Sequence, residues 1–502
     1  MIGKRAIAAA VVLVIVAVSS FAAYELFYSG GLPCGAIPAG SVARIQATEY
    51  HFGAVTEYQL PGVGRYPNAV VAAADGSVWF AADEAPGVEH LYPNNRTVVQ
   101  YAWPNYPTPQ PPDCIYSASV SGIALWNGRV WGADEYGNVI IGVNPSDGKS
   151  VSLNTSAKAD YPYWLAVGPD GDLWFTSDNT PARLGRILPN MSMQIINLSG
   201  LGNDEPLTLD FVNSSLAYVS TVNISTFSAN SACARLSSGC ASGHVYSFDP
   251  SDALSAITPK VVGTGFNLTL PTSASFSGGS VWVAQHDASN VMRYDVGAGT
   301  WTTYPTSTVP YVPITLSLET TTEGGKVWFN EHYANKIGEI DPAANTLTEY
   351  SESDPPIANG SEVQNDLSIA AGDGGLWFTS LTANYVGFVN GTFNPGWRIA
   401  IDGADSASVS PGGNASFAMD ISGSWSSPLG VAVSDSENLT STPKLIQIVP
   451  SVSSVPVMGT TTYKLDVRVS VGKTVRSGDY TLAVTLTSGV TQQTDYFFIK
   501  VD

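Results

Sequence analysis

VWFNEHYANKIGEIDPAANTLTEY, residues 327–350, is the stretch that decides how this chain reads. Apolar and polar positions alternate through V-W-F-N, through K-I-G-E-I and again through L-T-E-Y, which predicts three strands separated by short polar turns. Ahead of it Gly324-Gly325 offers the positive φ angles of a tight turn, so a fourth strand precedes the aromatic one. Working outward, the same order of short apolar strand, Gly-bearing turn and aromatic strand returns at a spacing of roughly forty to sixty residues. The copies are AVVAAADGSVWFAADE around Trp79, GIALWNGRVWGADE around Trp131, WLAVGPDGDLWFTSD around Trp174 and TLDFVNSSLAYVST around Tyr218. ASFSGGSVWVAQHD around Trp282, TLSLETTTEGGKVWFNEH around Trp328 and LSIAAGDGGLWFTSL around Trp377 complete the set.

Each aromatic hairpin is followed by a second hairpin, and two hairpins make a four-stranded sheet. One such sheet cannot bury both faces, so the copies must stack around an axis with their Trp and Phe side chains between neighbours. The reading is an all-β chain whose residues 54–396 form a seven-bladed β-propeller. Residues 54–61, AVTEYQLP, resemble LTEYSES at 347–353 and are expected to supply the outer strand of the last blade; GTFNPGWRIAI at 391–401 is the alternative. The fourth copy carries an insertion from about Asn223 to Gly243. From residue 397 to 502 the Trp-Phe pattern gives way to short alternating strands punctuated by Gly, Ser and Pro, which fits an antiparallel β-sandwich. With its Ser-Pro-Gly-Gly start and Gly-Asp-Tyr-Thr-Leu strand, this part resembles immunoglobulin-like modules.

VWFNEHYANKIGEIDPAANTLTEY also resembles the W-F-T-E, N-K-I-G-R-I, T-E-Y repeat of the streptogramin (virginiamycin B) lyase family, with LWFTSDNTPARLGRI and LWFTSLTANYVGFV as looser versions. The resemblance spans roughly residues 55–389. It implies a propeller and, for an enzyme, opening of a cyclic depsipeptide ester by elimination, with a His base and a divalent cation, usually Mg2+. The family sets its histidines in Pro-His-Gly-Ile or Pro-His-Ala-Ile at the start of inner strands. Here those positions read Pro67-Asn68-Ala69-Val70, Pro162-Tyr163-Trp164-Leu165, Pro206-Leu207-Thr208-Leu209, Pro271-Thr272-Ser273-Ala274 and Pro313-Ile314-Thr315-Leu316. A base would have to stand elsewhere.

Composition sets the remaining bounds. With 22 Lys and Arg against 42 Asp and Glu, the formal charge of -20 leaves no basic stripe for phosphates and excludes nucleic acid as a partner. Lys4 and Arg5 precede an uncharged apolar run over residues 6–23 that is long enough to cross a bilayer. Residues 1–28 therefore read as a membrane anchor with the bulk of the chain outside, a cleaved secretory signal or a pilin-type signal, and residues 29–53 as a stalk. Eleven sequons, at Asn95, Asn154, Asn190, Asn197, Asn213, Asn223, Asn267, Asn359, Asn390, Asn414 and Asn438, agree with a location outside the membrane. So do Cys34, Cys114, Cys233 and Cys240, for which Cys34–Cys114 with Cys233–Cys240 is the simplest of three pairings.

Aligning the copies on their aromatic residue yields the candidate site. Three and four positions later stand Ala82-Asp83, Asp134-Glu135, Ser177-Asp178, Thr221-Val222, Gln285-His286, Glu331-His332 and Ser380-Leu381. If the blades align, these share one rim, with Asp83, Asp134, Glu135, Asp178 and Gln285 as ligand-facing positions and His286, Glu331 and His332 as catalytic candidates. His51, His90 and His244 read as ordinary surface or turn residues. Three functions follow: a membrane-tethered cell-surface protein binding a ligand, surface protein or glycan; a lyase or hydrolase using Mg2+ or another divalent cation with a relocated base; or a subunit of a surface appendage.

Overall fold

Turn residues and alternation act together in every repeat. Asn127, Gly76, Gly171 and Gly325 adopt positive φ at the tips of the first hairpins, and the strands on either side pair antiparallel. The computed structural model describes residues 40–61, 66–83, 86–104, 119–156, 159–223, 242–252, 256–263, 268–286, 290–306, 319–331, 334, 336–353, 366–381, 383–435, 446–457, 462–489 and 491–502. The N-terminal apolar run, the four cysteines, His332 and the sequons at Asn267, Asn359 and Asn438 lie outside the described residues. Among the described residues no helix is long and apolar enough to cross a membrane.

The chain is all-β and folds as a β-propeller. Its innermost strands are Pro67–Ala72, Val120–Trp126, Pro162–Val167, Asp204–Asn213, Pro271–Ser277, Thr320–Glu323 and Asp366–Gly372. Each neighbours the next, and Asp366–Gly372 returns to Pro67–Ala72, so the series closes into a ring. Outward from each inner strand the sheet continues through consecutive antiparallel strands, as in Pro162–Val167, Leu173–Ser177, Arg183–Ile187 and Met193–Leu198. The ring is closed by Val55–Gln59, which pairs with Tyr385–Asn390. Trp397–Ile401, the other candidate for that place, belongs to a C-terminal sheet beside Asn414–Gly423.

Residues 42–52, expected within a stalk, are instead strands. Val42–Gln46 pairs with Thr97–Ala102, and Thr48–Phe52 pairs with Val55–Gln59. The alternation of V-A-R-I-Q and T-E-Y-H-F gives each strand a face to set on a neighbour.

The repeat signature has a separate physical task at each position. Trp131, Trp174, Trp282, Trp328 and Trp377 are essentially fully buried, and Trp79 nearly so. Trp174 packs with Leu209, Val219 and Tyr246 of the following sheet. The adjacent Phe lies across the neighbouring strand's glycine: Phe175 faces Gly185, Phe329 faces Gly338 and Phe378 faces Gly387. A Cβ at Gly338 would stand 2.1 Å from the Phe329 ring, so the glycine of K-I-G-E-I is required by close approach.

The Thr of W-F-T stitches sheet to sheet. Thr176 Oγ1 accepts the Trp164 N–H of its own inner strand (3.0 Å) and donates to Leu207 O of the next (2.6 Å). Ser220 repeats this between Thr208 N–H (3.1 Å) and Thr272 O (3.1 Å), and Thr379 between Ser368 N–H (3.3 Å) and Asn68 O (2.7 Å). A buried hydroxyl satisfied on both sides stabilises the contact by about 1 kcal/mol per bond.

Past residue 396 two sheets share one apolar core that includes Trp397, Phe417, Met419, Leu465, Leu482 and Phe497. One of them is continuous with the propeller. Thr346–Ser351, an outer strand of the ring, pairs with Thr491–Val501 from Thr346↔Asp495 to Tyr350↔Thr491. Tyr496 seals the junction: it is fully buried, its hydroxyl donates to Pro305 O at 2.7 Å, and its ring meets Tyr304 edge-on at 5.1 Å.

Gly338→Ala is expected to cost roughly 1–3 kcal/mol through overpacking against Phe329. Adding Phe329→Leu should restore part of it. Denaturant melts of the two variants check this, and a Gly338→Ala protein as stable as wild type would show that the ring can move aside.

Candidate functional site

Four rim positions are fixed by the same backbone contact. The residue four places after the aromatic donates its N–H to the residue just ahead of the inner strand: Asp83 to Tyr66 O (3.0 Å), Glu135 to Ser119 O (3.0 Å), Asp178 to Tyr161 O (2.9 Å) and His286 to Leu270 O (3.1 Å). Tyr66, Tyr161 and Leu270 hold left-handed φ values of 53°, 58° and 45°, each directly before a proline. Such conformations cost on the order of 1–3 kcal/mol at a non-glycine residue, and here they persist where chain enters the centre of the ring.

Just after that point the register of the inner strand shifts, between Pro67 and Val70, Val120 and Gly122, Pro162 and Leu165, Pro206 and Leu209, Pro271 and Ser273, and Asp366 and Ile369. A bulge re-aims the residues it contains. Asn68 and Tyr163 occupy the place of the His in the lyase-like motif, and both meet the rim acids. Asn68 Nδ2 donates to Asp83 Oδ1 at 3.1 Å, while the Tyr163 phenol stands in the field of Glu135, Asp178 and Glu319.

Four carboxyl groups from four consecutive sheets converge here. Asp83 Oδ1 also accepts the Val120 N–H at 3.1 Å, and Glu135 Oε2 accepts Ser121 Oγ at 3.3 Å. Glu135 feels the charges of Asp178, Asp83 and Asp134, and Glu205 that of Asp178. Burial pushes Asp83 up to about 6, Asp178 to about 7 and Glu205 to about 8; burial and then the charge of Asp178 hold Glu135 well above the usual carboxylate range. Among the described residues no Lys or Arg enters the electrostatics of these four groups. Glu135 Oε1, Asp178 Oδ1 and Glu205 Oε2 are buried without a hydrogen-bond partner there. Unpaired buried oxygens of this kind are costly, and their concentration in one place is a mark of a binding site.

The structure thus brings Asp83, Glu135 and Asp178 together, with Asp134 beside them taking the Ser119 and Gly137 N–H groups as a turn acid. The other rim residues lie elsewhere. Gln285 Nε2 donates to Asn290 Oδ1 at 2.6 Å, and His286 is fully buried. Glu331 stands in the field of Lys336 and Tyr496, toward the junction with the C-terminal sheets. Glu205 was missed because it stands at the start of the inner strand Asp204–Asn213, opposite the position counted from the aromatic, where the fourth copy has Val222 and the first three have acid; the Glu205-Pro206 pair at a strand start was the available signal.

Two histidines depart from the surface reading. His90 is buried, stacked on Trp79 at 3.8 Å with Nε2 2.6 Å from Ser77 Oγ, and burial lowers it to about 4. His244 Nδ1 lies 2.7 Å from Asp204 Oδ2, a carboxylate that also accepts Thr221 Oγ1, Asn223 Nδ2 and Tyr246 OH. The hydrogen bond that the ring donates to Asp204 raises the His244 pKa, and the ring remains 42% exposed. His51 is exposed, as expected, 3.1 Å from Thr56 Oγ1. Among the described residues no three His, Cys, Asp or Glu side chains are placed to hold one metal ion together.

Of the described sequons, Asn95, Asn154, Asn190, Asn197, Asn213, Asn390 and Asn414 are exposed and Asn223 is half-buried. Four accept the N–H of their own Ser or Thr, as Asn190 Oδ1 does from Ser192 at 3.0 Å, and so serve as Asx-turns at hairpin tips.

Compared with protein-family models and with curated proteins, the sequence matches none. Among solved structures the chain is similar to virginiamycin B lyase from Staphylococcus aureus, at 18% identity over 66% of this chain and 98% of that one, TM-score 0.49. It is similar to a streptogramin B lyase at 20% identity over 66% and 96%, TM-score 0.47. PorZ, a surface component of the type-IX secretion system of Porphyromonas gingivalis, aligns at 12% identity over 88% and 60%, TM-score 0.45.

Acids with raised folded-state pKa values hold protons more tightly folded than unfolded, so stability is greatest below the unfolded value and falls as pH rises through the folded one. The ligand-free protein should therefore lose melting temperature from the ordinary Asp value of 3.8 up to about 8. Asp178→Asn with Glu205→Gln should flatten that slope and raise the melting temperature at the alkaline end. Glu57 and Asp495, lifted by burial elsewhere, and Glu319, lifted by burial across Tyr163 from the cluster, keep a residual slope. Thermal melts across pH measure it; an unchanged slope in the double variant would place the titration outside the cluster.

Proposed function

We propose that the protein is an extracytoplasmic, membrane-anchored, seven-bladed propeller with an immunoglobulin-like C-terminal sandwich, and that it binds a positively charged ligand at the Asp83, Glu135, Asp178 and Glu205 cluster. The observation that carries this reading is the set of buried carboxyls without a neutralising basic side chain among the described residues. Burying such groups is costly unless they are protonated or a cation joins them. The apolar run at residues 6–23 and the exposed sequons support the location. The ring of inner strands from Pro67–Ala72 to Asp366–Gly372 supports the blade number, and the two sheets around the Trp397 and Leu482 core support the sandwich.

A thermal-shift panel of divalent metals, alkylamines and guanidinium compounds at pH 8 tests the binding reading. A member of the panel should raise the melting temperature of wild type, and Asp178→Asn with Glu205→Gln should abolish that response. A response that survives in the double variant, or none from any cation, would reject it.

A second reading, a carbon–oxygen lyase or hydrolase, is favoured by the His244–Asp204 pair. Asp204 fixes the imidazole by Nδ1 and leaves Nε2 to take a proton, which gives the chain an oriented base that the lyase-like motif positions lack. Incubation with a cyclic depsipeptide ester should then give an opened product by mass spectrometry in wild type and not in His244→Ala. No product from wild type would remove this reading.

A further inference from the structure

Three groups of titratable side chains stand apart from the His244–Asp204 pair. His90 with Ser77 and Asp75 is shut into the core beneath Trp79, and Glu57 with Glu352 is tied to Ser353 N–H and the Tyr385 hydroxyl across the ring closure. Neither opens on a place for a ligand. The carboxylate cluster does, and its shape narrows what it would take.

We infer that the ligand held there is an organic cation, an alkylammonium or guanidinium group, and that the four carboxyls grip it from separate sheets. This rests on the cluster being a binding site, as proposed above. Three observations argue for it. Glu135, Asp178 and Glu205 are 1%, 4% and 6% exposed, and each keeps one oxygen without a hydrogen-bond partner among the described residues. These groups are spread over three sheets, following Arg129–Asp134, following Leu173–Ser177 and within Asp204–Asn213, with Asp83 on a fourth. Among the described residues no three acids could share one metal ion, which needs its oxygens gathered within about 2.0–2.6 Å of a single point. A guanidinium or ammonium has several N–H donors pointing different ways, so it engages carboxylates that stand apart.

The aromatic neighbours fit the same ligand. Tyr163 feels Glu135 and Asp178, and Tyr136 feels Glu135, Asp83 and Asp178, so both phenol groups stand within electrostatic reach of the acids. Aromatic faces beside carboxylates attract an organic cation by its charge while burying its carbon, a combination that a hydrated metal ion gains little from. Asp134 and Glu319 complete the charged groups facing these side chains, and both are acidic. A cation entering would ionise the cluster, so affinity rises as pH climbs and protons leave.

Titration calorimetry with methylguanidinium, butylammonium, a lysine- and arginine-containing peptide, magnesium, calcium and manganese, at pH 5 and pH 8, is the test, with methylurea and butanol as uncharged isosteres. The expected result is binding of methylguanidinium or butylammonium at pH 8, at least tenfold weaker at pH 5 and in Asp178→Asn with Glu205→Gln, and no heat from the isosteres. If the peptide binds and the small cations compete with it, the source is a basic side chain of a partner; if only the small cations bind, the source is a free amine. Metal binding that depends on the same carboxyls, with no effect of the organic cations, would overturn this inference and leave the binding reading intact. Silence from every cation would overturn both. An isostere that binds as well as its cation would show recognition of shape, and the charge argument would fall even if the variants failed to fold.

Discussion

Ring closure is the constraint on which the rest of the structure depends. Val55–Gln59 pairs with Tyr385–Asn390, and Gln59 Nε2 reaches Ala383 O across 324 positions of sequence. Until that contact forms, the first and last inner strands have no neighbour on one side, and Thr379 cannot hand its hydroxyl to Asn68 O. Such a long-range contact forms against a large loop-closure entropy, and folding of the ring is correspondingly dependent on many weaker contacts formed first. Those contacts are the Trp layers between sheets, the Phe–Gly pairs within them and the hydroxyl bridges at Thr176 and Ser220.

The carboxylate cluster exists because the ring holds four sheets at fixed angles around one centre. Asp83, Glu135 and Asp178 sit at the same position of successive repeats, tied by the same N–H contact to Tyr66, Ser119 and Tyr161. Glu205 comes from the opposite side of its hairpin, yet the register of Pro206 with Thr221 brings it level with them. Like charges held together in low dielectric would drive the sheets apart if all were ionised, so protons or a cation must accompany them.

Much of this was legible in the sequence because each requirement leaves a local trace. Asp-Gly and Asn-Gly mark turns, and the Trp-Phe pair marks a strand buried on both faces. The rim alignment rested on counting from an aromatic residue, and it found Asp83, Glu135 and Asp178 because the hairpins have equal length. It could not find Glu205, which stands at the start of its inner strand rather than after an aromatic one, nor His244, whose partner Asp204 is forty residues away. The Gly of K-I-G-E-I was visible as a motif, but its reason, the Phe329 ring lying over it from the adjacent strand, is a three-dimensional fact. The joining of the C-terminal sheet to Thr346–Ser351 left no trace at all, since backbone pairing between distant strands has no residue signature.

That junction also answers a hazard that every propeller faces on its circumference. An outermost strand offers a row of free N–H and C=O groups on which a second molecule can add its own strand, the first step toward open-ended aggregation. Here the outer strands at Thr97–Ala102, Val55–Gln59 and Thr346–Ser351 are each capped by another piece of the same chain, namely Val42–Gln46, Thr48–Phe52 and Thr491–Val501. Val42–Gln46 and Thr48–Phe52 thereby become the short end strands of their own sheets, whereas Thr491–Val501 is itself paired on its far side with Gly478–Ser488, so the C-terminal sheet leaves Thr346–Ser351 with no free edge and cutting it away would expose one.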